Sequence, residues 1–304
     1  MQTSLFKGII TDNRSWSMCW KSEDIYMPLL KYIYETSHMK FGEILTPPET
    51  SNALFRVGNS IIKIFIPPET NLKDGGEYIA ELEGIKFCKN LGINTPDILC
   101  HGIINDNLYS FPYIIMTYID GIEADTAFLE YSKSEKIEYV LKLKEIMNTI
   151  SIPTNINIRR YDEPYFINHV NWNSMSESFR EDRKNYLANA NIPEPVFNQG
   201  DFGGCNVIID KQGRLNLIDF ASSLIAPYYY EMPDWDEHYL MEAYYGNYKN
   251  DEFYEISLMA TLIYHFSPFF SINSFAEEAG INIADISSVS MLKNIIIKSL
   301  NSKK

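Results

Sequence analysis

No apolar run in this chain approaches the roughly 18 residues that a membrane-spanning helix needs, which removes the transmembrane class. Basic residues are scarce: 26 Lys and Arg stand against 40 Asp and Glu, for a formal charge of −14. Nucleic-acid phosphates demand clustered cations, so this balance argues against a nucleic-acid partner and suits a cationic small molecule. Cys19, Cys88, Cys100 and Cys205 lie far apart with no Cys-x-x-Cys spacing, which predicts reduced, buried thiols. His38, His101, His169, His238 and His265 lack the spacing of metal ligands. A Gly-x-Ser-x-Gly nucleophile elbow is missing, and so is the Gly-x-Gly-x-x-Gly of a protein-kinase glycine loop or a Rossmann site. Signal peptide, internal repeat and low-complexity tract are also missing, and the expectation is a soluble cytoplasmic protein without a membrane partner.

What is present is apolar and aromatic. At 304 residues, with 45% hydrophobic and 14% aromatic content, the chain can bury one large or two smaller cores, and its length favours two lobes. The first lobe is expected over 1–118 and the second over 119–304.

The densest signal is residues 199–220. Two apolar runs, 206–209 and 215–218, flank the turn Asp210-Lys211-Gln212-Gly213, which reads as a β-hairpin. Asp201, Asn206 and Asp219 then sit at the ends of rigid strands. Phosphoryl transfer needs one carboxylate to take the proton of the attacking hydroxyl, and an amide with a second carboxylate to hold magnesium on the phosphates. Asp201, Asn206 and Asp219 fit those roles in that order.

Upstream, Ala53–Val57, a turn at Gly58-Asn59 and Ser60–Ile66 read as a second hairpin. Its second strand places Lys63 among Ile61, Ile62, Ile64 and Phe65, where an ammonium is costly without an anionic partner. The segment 76–90 has helical apolar spacing and offers Glu77, Glu81 and Glu83 as partners. Farther on, Ser132 and Glu135 form a capping box ahead of an amphipathic helix that ends before Pro153. A charged helix is expected over 174–190 and apolar-faced helices over 253–266 and 291–300. Residues 1–45 carry a helical stretch from about Ser22 to Tyr34 and scattered aromatics, with no function legible in them. After Phe220, aromatic residues surround Glu231, Asp234, Asp236 and Glu237, a wall suited to an aminocyclitol or, equally, a solvated helix start.

These residues resemble the aminoglycoside phosphotransferase family, whose catalytic loop reads His-Gly-Asp-x-x-x-x-Asn and whose metal strand reads Ile-Asp-Phe or Ile-Asp-Trp. The version here, Gly-Asp-Phe-Gly-x-x-Asn-Val, is most similar to hygromycin phosphotransferases, with Gln199 where the family has His. The resemblance covers about residues 50–240. It implies a two-lobed, protein-kinase-like α+β fold: an N-terminal antiparallel sheet plus a helix, then a mainly helical C-terminal lobe. It further implies Asp201 as the proton acceptor, Asn206 and Asp219 on Mg2+, and Lys63 on the α and β phosphates with Glu81 orienting it. Ser51 would lie in a loop over the phosphates, and Met116, Tyr118 and Ile119 at a hinge that binds the base. The implied activity is transfer from ATP or GTP to a hydroxyl of a small, cationic acceptor, first an aminoglycoside antibiotic. Kinases of choline, homoserine, methylthioribose or macrolides are alternatives, as is an impaired pseudokinase suggested by Gln199. A metal-dependent hydrolase on Asp201, Asp219 and Asp234 would leave Lys63 and Glu81 without a role.

Overall fold

The computed structural model describes residues 4–20, 22–45, 52–73, 75–162, 170–233, 235–263 and 272–303. Ser51, Asp234, His169 and His265 lie outside the described residues. The chain forms two compact units, Met1–Ile122 with Ile208–Ala221, and Glu123–Val207 with Ser222–Lys304.

In the first unit, α1 (Asn13–Trp20) and α2 (Glu23–Thr36) precede β1 (Ile44–Leu45), β2 (Ala53–Val57), β3 (Ser60–Ile64), α3 (Glu77–Asn90), β4 (Ile98–Asp106) and β5 (Tyr109–Thr117). The strands form one antiparallel sheet in the order β1-β2-β3-β5-β4. The β2–β3 hairpin runs from Val57 opposite Ser60 to Ala53 opposite Ile64, and β5 flanks β3 on its other side. Lys63 therefore lies between Leu54 and Ile114, on a strand paired along both edges.

The two N-terminal helices, whose function is not legible in the sequence, prove to be part of this core. Tyr26, Leu29, Leu30 and Ile33 of α2 are wholly buried in one cluster with Phe55, Ile62, Phe111 and Ile115 of the sheet. Each such side chain contributes about 1.5–3 kcal/mol on burial. The chain ahead of the helices is tied down as well: the Phe6 N–H and the Ser4 hydroxyl both donate to the Asp106 carboxylate at 2.8 Å.

The chain continues through β6 (Gly121–Glu123), α4 (Ala124–Glu130), α5 (Lys133–Ile150), α6 (Glu177–Asn189), β7 (Val196–Asn198), β8 (Val207–Asp210), β9 (Leu215–Leu217), β10 (Leu224–Ala226), α7 (His238–Tyr245), α8 (Asp251–Ile263), α9 (Ile272–Ala279) and α10 (Val289–Ser302). The capping box forms as the sequence implies, with Ser132 and Glu135 satisfying each other's backbone N–H groups. The second unit is mainly helical around a core that includes Phe179, Tyr230, Met241, Leu258, Phe275, Leu292 and Ile296. Among the described residues no helix is long and apolar enough to cross a membrane.

The β8–β9 hairpin groups with the first unit from Ile208 onward, whereas the 118/119 boundary read from sequence assigned it to the second. Hydrogen bonds explain the grouping: the Leu217 N–H donates to the Asn94 carbonyl at 2.9 Å, and the Asn94 side chain donates to the Leu215 carbonyl at 3.3 Å.

Candidate active site

Lys63 is 4% exposed, and its Nζ stands 2.7 Å from Glu81 Oε2 and 2.7 Å from Asp219 Oδ1. Three segments converge to make this cluster: β3 brings the lysine, α3 the glutamate, and the turn after β9 the aspartate. Burial alone would lower the lysine's pKa, but Asp219 and Glu81 outweigh it and hold Lys63 above its ordinary value. Burial pushes Glu81 up to about 7 against the pull of Lys63. Burial also opposes ionisation of Asp219, yet Lys63 and the Ala221 N–H hold that carboxyl below its ordinary value. The Asp219 side chain keeps 37% exposure, so one face of the cluster is open.

Asp219 has φ 56°, a left-handed conformation that Asp tolerates better than most residues with a Cβ. The next residue, Phe220, donates its N–H to Glu81 and lays its side chain over Gly84 of α3. A Cβ on Gly84 would stand 2.9–3.1 Å from Phe220 Cβ, Cδ1 and Cγ, so only glycine admits this approach.

The second unit holds the loop with Asp201 and Asn206. It follows β7, whose three residues are all buried and pair antiparallel with β10. Gly200 has φ +91° and packs against the Ser222 carbonyl so closely that a Cβ would collide. The Asn206 amide donates to the Asp201 carbonyl at 2.7 Å and to Asp201 Oδ2 at 3.1 Å. Its amide oxygen is then the side-chain atom left for a cation. Gln199 is fully buried, and its side-chain oxygen accepts the Asp201 N–H at 2.9 Å while the Ser223 hydroxyl donates to its carbonyl at 3.0 Å. Gln199 thus braces the loop in the position where the family has His.

Glu231, which the sequence offers to a substrate-facing wall or to a solvated helix start, lies inside instead. It is 4% exposed; its Oε1 accepts the Phe202 N–H at 2.8 Å, and the nearby Gly200 and Gln199 N–H groups also favour the charged carboxylate. The neighbouring Tyr229 and Tyr230 are buried too, so Tyr228 is the exposed ring of that run. Burial pushes the Glu231 carboxyl from its ordinary 4.5 up to about 8 despite the backbone donors. Its contribution to folding is therefore fully present below about pH 4.5 and is lost as the pH rises through about 8. Glu231→Gln is expected to flatten the decline of unfolding free energy across that window in urea titrations at several pH values. An undiminished slope would assign the pH dependence elsewhere.

Cys205 corrects another expectation. Cys19 and Cys88 are buried, but Cys205 sits exposed on the turn between Gly204 and Asn206. Partial burial and the Asp201 and Asp125 carboxylates push its thiol up, which leaves no basis for a reactive thiolate.

Beside this loop the second unit encloses a cavity of about 160 Å³ lined by residues that include Asp125, Phe128, Tyr139, Phe202, Gly203 and Trp235. The Tyr139 hydroxyl is buried with no hydrogen-bond partner among the described residues, and burial and Asp125 raise its pKa.

Of the remaining expected residues, Met116 is buried within β5. The Tyr118 N–H donates to the Asn59 carbonyl at 3.0 Å, and Arg56 stacks on the Tyr118 ring with its guanidinium carbon 3.6 Å from the centroid. Ile119 follows, outside any strand.

No protein-family model matches this sequence. Nor does any curated protein match it by sequence. Solved structures do match. A streptomycin–ATP–APH(2'')-IIa ternary complex aligns with TM-score 0.57 over 86% of this chain and 96% of its own, at 13% identity. A thermostable mutant of the aminoglycoside phosphotransferase APH(4)-Ia aligns with TM-score 0.54 over 90% and 98%, at 12% identity. The choline kinase LicA from Streptococcus pneumoniae aligns with TM-score 0.51 over 90% and 98%, at 18% identity. At such identities the likeness is one of fold: the chain has the α+β, kinase-like fold of the aminoglycoside phosphotransferases.

Proposed function

We propose that the protein is a small-molecule kinase that transfers the γ-phosphate of ATP or GTP to an acceptor hydroxyl, with aminoglycosides and aminocyclitols as the first acceptor class. The observation that carries this reading is the buried Lys63 held at 2.7 Å by both Glu81 and Asp219. In kinase-type phosphoryl transfer a strand lysine, oriented by a helix glutamate, neutralises nucleotide phosphates beside a metal-binding aspartate. Met116, Tyr118 and Ile119 are assigned to the base and Ser51 to the phosphates.

Each assigned ligand is of a type that magnesium accepts, a hard cation that takes oxygen donors and fills its remaining positions with phosphate and water. Asp219 offers a carboxylate oxygen and Asn206 an amide oxygen. When bound, the metal would neutralise charge on the transferring phosphate. Asp201 takes the proton of the acceptor hydroxyl as that oxygen bonds to the γ-phosphorus and the bond to the bridging oxygen of the departing diphosphate breaks. The Asn206 and Gln199 bonds hold Asp201 in place for this step, so catalysis is mostly positioning and charge neutralisation.

The cavity beside the loop suits one ring or one amino group of an acceptor: its volume falls short of the roughly 300 Å³ at which drug-sized pockets begin. Asp125 would pair with an ammonium and the surrounding rings would pack on an apolar face. Asp125→Asn is expected to raise the KM of a cationic acceptor about tenfold with kcat within about twofold, since it removes binding common to ground and transition states. A fall in kcat alone would place Asp125 outside acceptor binding.

The two solved relatives described as a streptomycin–ATP complex and a choline kinase indicate which compounds to try. The deciding experiment is magnesium-dependent consumption of ATP and GTP, in parallel, with aminoglycosides, hygromycin, choline, homoserine and macrolides. Turnover with one class fixes the acceptor, and the absence of turnover with all of them overturns the assignment to these substrates.

A further inference from the structure

Lys63 cannot by itself neutralise a nucleotide. With Glu81 and Asp219 it forms a cluster of one cation and two anions, net −1 when all are ionised. A divalent metal would bring that to +1, against a triphosphate chain that carries about four negative charges near neutral pH. That leaves an excess of negative charge for other cations, of the protein or of the solution, to offset.

Lys73 is one such cation of the protein. It lies in the segment that leads into α3, and its Nζ pairs with Glu77 Oε1 at 2.6 Å. The other Glu77 oxygen accepts the Asn52 amide at 3.1 Å, and Asn52, 1% exposed, immediately precedes β2. That strand pairs with β3, placing Leu54 directly opposite Lys63. Asn52, Glu77 and Lys73 thus join the entry of β2 to the start of α3, one helical turn before Glu81.

Resting on the kinase reading above, we infer that Lys73 is a second cation for the nucleotide's β and γ phosphates, exchanging Glu77 for phosphate oxygen when a nucleoside di- or triphosphate binds. The exchange costs little. The Lys73–Glu77 pair is partly exposed, with side chains 23% and 18% accessible, and solvent screens such pairs so that they add little to stability. Glu77 keeps Asn52 and lies in the first turn of α3, where the helix dipole favours a carboxylate. Lys63 has no such freedom, because leaving its partners would strand two carboxylates. Lys63 is accordingly the fixed cation and Lys73 the one that moves.

The test is equilibrium binding of ATP, ADP and AMP, with magnesium, to the full-length wild type, Lys73→Ala, Lys73→Arg and Glu77→Gln. Lys73→Ala is expected to weaken ATP about tenfold and leave AMP within about twofold, because AMP lacks the phosphates at issue. Lys73→Arg should recover most of the loss, and Glu77→Gln, which frees the lysine, should tighten ATP. ATP affinity in Lys73→Ala within twofold of a wild type that binds ATP would overturn the inference and leave the kinase reading standing. A wild type that binds no nucleotide would overturn both.

Discussion

Asp201→Asn is expected to lower kcat by about a thousandfold while ATP affinity stays within about threefold. The substitution keeps the size of the side chain and the oxygen that can face Asn206, so the loop fixed by Gln199 and Glu231 should stay in place. What it removes is the capacity to take a proton, and a carboxamide has no useful basicity at neutral pH. The nucleotide contacts assigned to Lys63 and Asp219 belong to another segment, which is why binding is spared. Steady-state kinetics paired with direct ATP binding separate the two effects. A variant that retains a tenth of the wild-type kcat would remove Asp201 from the role of proton acceptor, and one that loses ATP binding would show that the substitution disturbs more than proton transfer.

Lys63→Met should damage both stability and catalysis. It preserves the length and apolar bulk of a side chain buried between Leu54 and Ile114, so cavity formation is a minor part of the outcome. The major part is electrostatic: Glu81 and Asp219 lose the cation that stands 2.7 Å from each. Removing one partner of a buried ion pair typically costs about 3–5 kcal/mol. One of the carboxyls is expected to take up a proton instead, which offsets part of that cost and makes the loss smaller at low pH than at neutral pH. For the nucleotide, kcat/KM should fall at least about a hundredfold as phosphate neutralisation disappears. Urea denaturation at pH 5 and pH 7.5 with parallel kinetics tests both halves. Stability equal to wild type at neutral pH would mean that the cluster contributes nothing net to the fold, and an unchanged kcat/KM would undercut the phosphate role.

The parts of the site that were legible in sequence are those whose chemistry is encoded locally. Lys63 among isoleucines is a costly placement that demands a carboxylate, and the helix beginning at Glu77 supplies it. Ser132 and Glu135 specify a helix start through bonds only three residues apart. The loop from Gln199 to Asn206 compresses most of its hydrogen bonds into eight residues, so its spacing carries its geometry. Glu231 was misread because an acid after three tyrosines points outward or inward according to packing elsewhere, and its partners lie about thirty residues earlier. The role of the first 45 residues was illegible for a similar reason. Tyr26 and Leu29 acquire meaning only from Phe55 and Phe111, and neither the period nor the composition of the segment names those partners. Asp125 and Tyr139 gave no motif at all; the cavity they line exists because α4, α5 and the loop meet there.

The contact between Phe220 and Gly84 carries a mechanical implication. A glycine inside a helix costs about 1 kcal/mol relative to alanine, so α3 gives up intrinsic rigidity at the point where Phe220 rests. The ring replaces the missing side chain from outside, and the N–H of the same residue binds Glu81 one turn away. Phe220 also follows directly on Asp219 in the chain. One peptide therefore separates that aspartate from the ring that rests on the helix carrying Glu81. Asp219 and α3 are thus joined twice, by the ion pairs through Lys63 and by Phe220, and a ligand on the Asp219 carboxylate is expected to alter the surroundings of Glu81 as well.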